Sequence, residues 1–160
     1  MKIKVKNSYL LAGCVAVLAL LCFLSVSSPE RFNREVAARE TVVRHRLMKI
    51  RSAEEKYRAR HGAYTGSFDV LVRSGLLADS LRYIPFSGHE PFDLQATAIT
   101  GKSGMQTPLM ECAAEYGQYL RGLDKASVDR LTEEANAAGR FPGLKVGDTE
   151  TPNNNAGNWE

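Results

Sequence analysis

The amino-terminal part of the chain is continuously apolar, and this pattern is the first that predicts an element of structure. Residues 8–28 contain no charged side chain. As a helix that rises about 1.5 Å per residue, they would reach about 30 Å, the thickness of a bilayer core. Lysines precede this run, so the positive-inside rule predicts a cytoplasmic N-terminus over residues 1–7. The pattern therefore predicts a transmembrane signal anchor in contact with the lipid bilayer, with everything after it translocated.

Two other interpretations of the same run remain open. Leu11-Ala12-Gly13-Cys14 matches a bacterial lipoprotein box, in which Cys14 would become a lipidated N-terminus. Ser25-Val26-Ser27 offers small residues to a signal peptidase, which would remove the run from the mature chain. The long apolar stretch that follows Cys14, and a length at the upper end for a cleaved signal, favour a retained anchor over both.

A charged segment follows the apolar run and predicts a long amphipathic helix over residues 29–61. Ser28 is suited to the N-cap position, and Pro29 is suited to the first helical position, where its missing N–H costs nothing. Basic residues in the last turn, followed by Gly62, indicate the end of the helix. At 1.5 Å per residue this helix would be about 50 Å long.

Apolar residues recur every seven positions along this predicted helix, from Val36 to Tyr57. This spacing places them on one narrow face. Because the stripe is narrow and the helix long, we expect one part of the stripe to be buried within the chain and the rest to bind partners. The residues predicted to bind partners are Phe32, Val36, Arg39, Val43 and Leu47.

Residues 62–150 have the mixed periodicity of a small α+β head. Apolar and polar positions alternate from Phe92 to Ala98, as in a half-buried strand. Pro108 places the next strand at an edge or a bulge. The predicted fold is therefore α+β, with a transmembrane helix, a long amphipathic helix packed on a small antiparallel sheet, and short helices. The remaining predicted elements are a helix from Ser67 to Gly75, a strand over 81–86, a hairpin turn over 101–104, a helix capped by Asp124 and closed by Gly139, a strand over 144–146, and an Asn-rich tail over 151–160.

Charge is divided unevenly between the predicted long helix and the head. Residues 30–61 hold ten basic and five acidic side chains, whereas residues 62–160 hold eight and thirteen, which gives net charges of +5 and −5. This asymmetry suits packing of one copy's helix against another copy's head, and it equally suits a solvated helix with local ion pairs. Cys112 is the one cysteine outside the apolar run, so it is expected to be a small buried hydrophobe without a disulfide partner in the head.

The order of these elements resembles that of type IV pilins and type II secretion pseudopilins. In both, a membrane helix continues into a long amphipathic helix and then leads through a tyrosine, a glycine and a second tyrosine to an antiparallel sheet. The resemblance implies that the first tyrosine packs under the sheet and that the glycine turns the chain toward the head. The prepilin-peptidase pattern is absent from the N-terminus, and Thr65 stands where proline is usual. The residues that carry the resemblance are Ile50, Tyr57, Gly62, Tyr64, Leu71 and Gly75.

Sites for catalysis, metals or nucleotides are not predicted. Gly101-Lys102-Ser103 matches the end of a phosphate-binding loop, but Ala96 stands where the loop requires glycine. The three histidines, His45, His61 and His89, lack the spacing of metal ligands. No Gly-x-Ser-x-Gly nucleophile elbow occurs. We therefore predict a protein that is not an enzyme and has no cofactor, no metal and no nucleic-acid partner.

The resemblance implies a structural subunit anchored in the bacterial inner membrane, with its head in the periplasm. Such a subunit would assemble with copies of itself or with other subunits of a trans-envelope secretion or pilus-like machine. The alternative is a tethered periplasmic module that holds a peptide or a glycan on its sheet. Exposed aromatic residues on the sheet would favour the binding module, whereas exposed apolar surface on the helix would favour assembly.

Overall fold

One long helix opens the described part of the chain. The computed structural model describes residues 7–100 and 104–160, without the side chains of residues 8, 10 and 23–29. The first helix, α1, runs over Asn7–His61. The chain divides into two compact units, Met1–Ala37 and Ala38–Glu160, called unit 1 and unit 2 below. Each unit is described by itself.

The predicted transmembrane anchor is contradicted. Among the residues that the structure describes, none of the helices combines the length and the apolar character needed to cross a bilayer. The predicted signal anchor over 8–28 and the location as a single-pass inner-membrane protein with a periplasmic head are therefore wrong. The predicted contact of this run with lipid stays a prediction. Residues 1–6 of the predicted cytoplasmic N-terminus lie outside the described residues.

Of the two predicted ends of the amphipathic helix, the beginning is wrong and the end is confirmed. No helix begins at Ser28 or Pro29, because α1 continues through both positions. Proline removes one intrahelical hydrogen bond, yet the preceding run is rich in leucine and alanine, which favour the helix strongly. The predicted end is confirmed, since α1 ends at His61 and Gly62 follows in the left-handed region with φ of +80°.

A three-stranded antiparallel sheet in unit 2 confirms the predicted α+β class. The strands are β1 (Asp93–Thr100), β2 (Gln106–Glu115) and β3 (Gly143–Gly147), in the order β1-β2-β3. β1 pairs with the whole of β2, whereas β3 pairs only with the part of β2 from Glu111 onwards. Pro108 therefore lies beyond the end of β3, where one side of β2 is an edge, as proline requires. Positions 101–103 of the predicted hairpin turn lie outside the described residues.

Most helices predicted for unit 2 are present in the structure, whereas one predicted strand is not. The predicted short helix is α2 (Phe68–Arg73), with Ser67 at its N-cap. A single turn, α3 (Tyr116–Tyr119), precedes α4 (Lys125–Ala137), where Asp124 accepts a hydrogen bond from the Ser127 N–H as the predicted cap. The predicted strand over 81–86 is wrong. A 3₁₀ turn occupies Asp79–Arg82 instead, and Phe86 has a φ of +66°, which extended strands do not allow.

The core of unit 2 combines one face of α1 with the inner positions of the sheet. Cys112 lies in this core as a free, fully buried thiol, which confirms its prediction as a small hydrophobe. Burial raises the pKa of the Cys112 thiol well above its ordinary value. The largest fully buried side chains include Val43, Leu47, Ile50, Leu71, Met110, Tyr119, Leu120 and Val146.

A buried acid on α1 holds the segment that follows the helix. The Glu54 side chain is fully buried, and its carboxylate accepts hydrogen bonds from the N–H groups of Thr65 at 2.9 Å and Gly66 at 3.0 Å. Desolvation by burial outweighs these bonds and raises the pKa of Glu54. Gly66 has a φ of +58°, and a Cβ atom there would lie 2.8 Å from the Ala96 nitrogen. Only glycine therefore lets the segment pass between Glu54 and β1.

The Asn-rich tail is packed into unit 2. Gly157 forms an isolated β-bridge with Val146 of β3, and the Asn158 N–H donates to the Lys145 carbonyl at 3.0 Å. The buried Asn155 amide donates to the Tyr64 hydroxyl at 2.7 Å. The tail thus joins the outer edge of the sheet to the segment after α1.

We expect Asn155→Ala to lower the free energy of unfolding by about 1–3 kcal/mol more than Asn154→Ala does. The two asparagines have φ values of +56° and +57°, so alanine strains the backbone equally at both. Only the change at Asn155 removes a buried donor from the Tyr64 hydroxyl. Urea unfolding of both variants measures the difference. Equal losses would mean that this hydrogen bond does not stabilise the fold.

Candidate functional site

Unit 1 exposes a run of large apolar side chains along α1. We call residues 9–22 the apolar segment. Their exposed fractions range from 71% at Tyr9 to 56% at Leu21. Soluble monomers rarely leave so many adjacent apolar side chains in water, so exposure of this kind marks an interaction surface. The exposed large apolar residues of the segment are Tyr9, Leu11, Val15, Val17, Leu18, Leu20 and Leu21.

The apolar segment is apolar on every face of the helix. Leu11, Val15, Leu18 and Cys22 are spaced four, three and four residues apart, so they share one face. Between them, alanines and the remaining large apolar side chains occupy the other faces, and no charged residue interrupts the segment. Helices that are apolar all round are normally buried among other apolar elements.

The residues predicted to bind partners do not form one surface. Phe32 and Val36 belong to unit 1 and are half-buried. Val43 and Leu47 belong to unit 2, where both side chains are fully buried in the core. The seven-residue stripe was expected to leave them available to partners, but the head covers this stretch of α1. Their side chains cannot reach a partner while unit 2 is folded.

Arg39 belongs to unit 2 and contacts other residues of that unit. Its guanidinium donates to the carbonyls of Tyr119 at 3.2 Å and Arg121 at 2.8 Å. The same group lies 4.8 Å from the centre of the Phe86 ring. Further along α1, Arg46 donates to the carbonyls of Ser80 and Tyr83. Basic side chains of α1 therefore bond to backbone carbonyls of the same chain, which sequence periodicity could not indicate.

The two tyrosines around Gly62 also differ from one another. Tyr64 is buried, and its hydroxyl accepts from Arg58 at 3.0 Å and from Asn155 at 2.7 Å. Tyr57 is half-buried and stacks on His61, with 4.2 Å between ring centres. Tyr64 is thus the tyrosine that fixes the segment after α1. The side chains of Ser28 and Pro29, also predicted to be structural, are not described.

Comparison with known proteins does not assign this chain to a family. No protein family, curated protein or solved structure matches the chain. The apolar segment, defined by exposure and by the absence of charge, is therefore the feature from which a function can be argued.

Proposed function

We propose that this protein is a structural subunit that assembles with copies of itself by burying its apolar segment. The observation that carries this proposal is the exposure of large apolar side chains on every face of residues 9–22. An assembly of several copies would surround each segment with identical apolar helices. The proposal concerns unit 1 alone and requires no change in unit 2.

The energetics of burial support association. A large apolar side chain gains about 1.5–3 kcal/mol on moving from full exposure to full burial. Seven such side chains in the segment offer on the order of 10 kcal/mol, against which the entropic cost of association must be set. Since the segment carries no charge, identical copies can approach one another without electrostatic repulsion.

The order of elements also supports a pilin-like role. In type IV pilins and pseudopilins, as the resemblance implies, a long amino-terminal helix carries a head built on an antiparallel sheet. Here α1 supplies the helix, and β1, β2 and β3 supply the sheet. Binding of a peptide or glycan to the sheet face has no comparable support, because the three described strands contain no aromatic residue.

Replacing Leu11 and Leu18 with glutamine is expected to weaken self-association of the full chain at least tenfold, about 1.4 kcal/mol. Glutamine keeps helix propensity while placing polar groups in the apolar seam. The matched control is Val42→Gln/Met48→Gln, which changes two exposed apolar residues of α1 in unit 2 and should leave association unchanged. Analytical ultracentrifugation over a range of concentrations measures the effect.

Oxidative cross-linking gives a second readout in the same chain. Cys14 and Cys22 are both exposed, whereas Cys112 is buried. If the face shared by Leu11, Val15 and Leu18 forms the seam, Cys14 (three residues after Leu11) and Cys22 (four after Leu18) both lie on it. The double change Cys14→Ser/Cys22→Ser should therefore abolish the covalent dimer, whereas Cys112→Ser should not. A chain that stays monomeric, and is recovered with phospholipid vesicles or with a different protein instead, would contradict self-assembly.

A further inference from the structure

A cleft of about 400 Å³ lies in unit 2 between α1, α4, β3 and the tail. This volume is at the lower end of the range for small-molecule sites. The cleft is independent of the apolar segment, which belongs to unit 1. The side chains that determine its chemistry are Arg44, Tyr116, Arg140, Phe141, Lys145 and Trp159.

Aromatic rings form much of the cleft wall, and cations already cover two of them. The Arg44 guanidinium lies 5.6 Å from the centre of the Trp159 ring, and the Lys145 amine lies 5.9 Å from that of Phe141. Three cationic side chains and a single carboxylate, Glu40, line the cleft. Glu40 pairs with Arg44 at 2.7 Å, and Glu111 pairs with Lys145 at 2.8 Å. Arg140 is therefore the cation of the lining that would attract an anion.

Two guanidinium groups of the cleft wall have donors without an acceptor among the residues that the structure describes. The Arg44 Nε atom is buried and has no hydrogen-bond partner, although another nitrogen of the same guanidinium bonds to Glu40 at 2.7 Å. The Arg140 guanidinium makes no hydrogen bond or ion pair with any residue that the structure describes. Buried polar groups are normally paired, so the Arg44 Nε is an exception. Arg140 is exposed, so its guanidinium can donate to an anionic acceptor.

A well-fixed tail holds the aromatic wall in place. The Asn158 side chain donates to the Gly143 carbonyl at 2.9 Å and accepts from the Lys145 N–H at 3.2 Å. Glu160 forms an ion pair with Arg51 at 3.2 Å. Trp159 stands between these two anchored residues, so the cleft is already formed before any ligand binds.

We propose that this cleft binds a small carboxylate that carries an apolar ring or chain. The carboxylate would accept hydrogen bonds from the guanidinium groups of Arg140 and Arg44, and the apolar part would lie against Trp159 and Phe141. Guanidinium groups bind carboxylates in a planar, charge-assisted geometry. Either a free organic acid or the C-terminal residue of a peptide supplies this chemistry.

Trp159 is the one tryptophan of the chain, so its fluorescence reports on the cleft directly. N-acetyl-L-phenylalanine added to the full chain is expected to produce a saturable change with a Kd of about 1 mM or tighter. The control ligand is N-acetyl-L-phenylalaninamide, which has the same ring but an uncharged amide in place of the carboxylate. Titration of a short peptide that ends in phenylalanine, with a free or an amidated C-terminus, distinguishes a peptide end from a free acid.

Arg140→Gln is expected to weaken binding at least about tenfold, because it removes a charge-assisted contact. Arg130→Gln is the control, since Arg130 lies on α4 with a side chain 65% exposed and does not line the cleft. Both variants should keep the thermal unfolding temperature of the wild type. No saturable change, an equal response to the amide, an equal effect of the two arginine changes, or displacement by inorganic phosphate at similar concentration would each overturn the proposal.

Discussion

Leu47→Ala is expected to lower the free energy of unfolding by about 2–5 kcal/mol, because it leaves a cavity in a closely packed core. Leu47 lies on the face of α1 that unit 2 buries completely. Met48, the next residue, is 39% exposed, so Met48→Ala should cost far less and serves as the control. Urea unfolding followed by circular dichroism measures both changes.

Similar small losses for Leu47→Ala and Met48→Ala would contradict this description of the core. In that case Leu47 would be accessible, as its predicted role in partner binding required. The same experiment therefore separates a residue that holds the subunit together from one that binds another subunit.

Glu54→Ala is expected to lower the free energy of unfolding by about 2 kcal/mol or more, since it leaves two partly buried backbone N–H groups without acceptors, at about 1 kcal/mol or more each. These are the donors of Thr65 and Gly66. Glu55→Ala is the control, because Glu55 forms a partly exposed pair with Arg51, and such pairs contribute about 1 kcal/mol or less. Equal losses would mean that the bonds to Glu54 do not hold the segment.

The pH dependence of unfolding gives an independent test of the same acid. Burial raises the pKa of Glu54 in the folded chain, so the folded state binds a proton more readily than the unfolded state. The free energy of unfolding contributed by this group therefore increases as the pH falls from neutral toward that pKa. Glu54→Gln lacks this contribution. The wild type should thus gain stability relative to Glu54→Gln as the pH is lowered from neutral into the acidic range, and a constant difference would contradict the raised pKa.

The seven-residue stripe shows which features of α1 hydrophobic periodicity can predict and which it cannot. It correctly places Val43 and Ile50 on one face of α1, because a spacing of seven keeps residues on the same side of a helix. It does not reveal how much of that face the head covers. The resemblance suggested a large core truncation of about 3 kcal/mol for Tyr57→Ala. The structure instead leaves Tyr57 half-exposed beside His61 and buries Tyr64.

Local signals predicted some ends of elements, and long-range contacts were missed. Gly62 adopts the left-handed conformation that ends α1, and Asp124 caps α4, as their own chemistry predicts. Ser28 and Pro29 carry similar signals and do not begin a helix. Glu54 and Asn155 act through partners far away in sequence, and a single charged or amide residue gives no local sign of such a partner. One signal was available for Glu54, because it falls between two apolar positions of the helix, Ala53 and Tyr57.

Unit 2 is also held together by contacts between residues that lie far apart in the sequence, and these contacts affect how the chain folds during synthesis. Tyr64 and Asn155 are separated by 91 positions, and Arg51 and Glu160 by 109. Contacts between residues so distant in sequence slow folding. Because the ribosome synthesises the chain from its N-terminus, residues 151–160 leave it well after α1, and they close the outer edge of the sheet and the segment after α1. Unit 2 therefore cannot complete its fold until residues 151–160 have been synthesised.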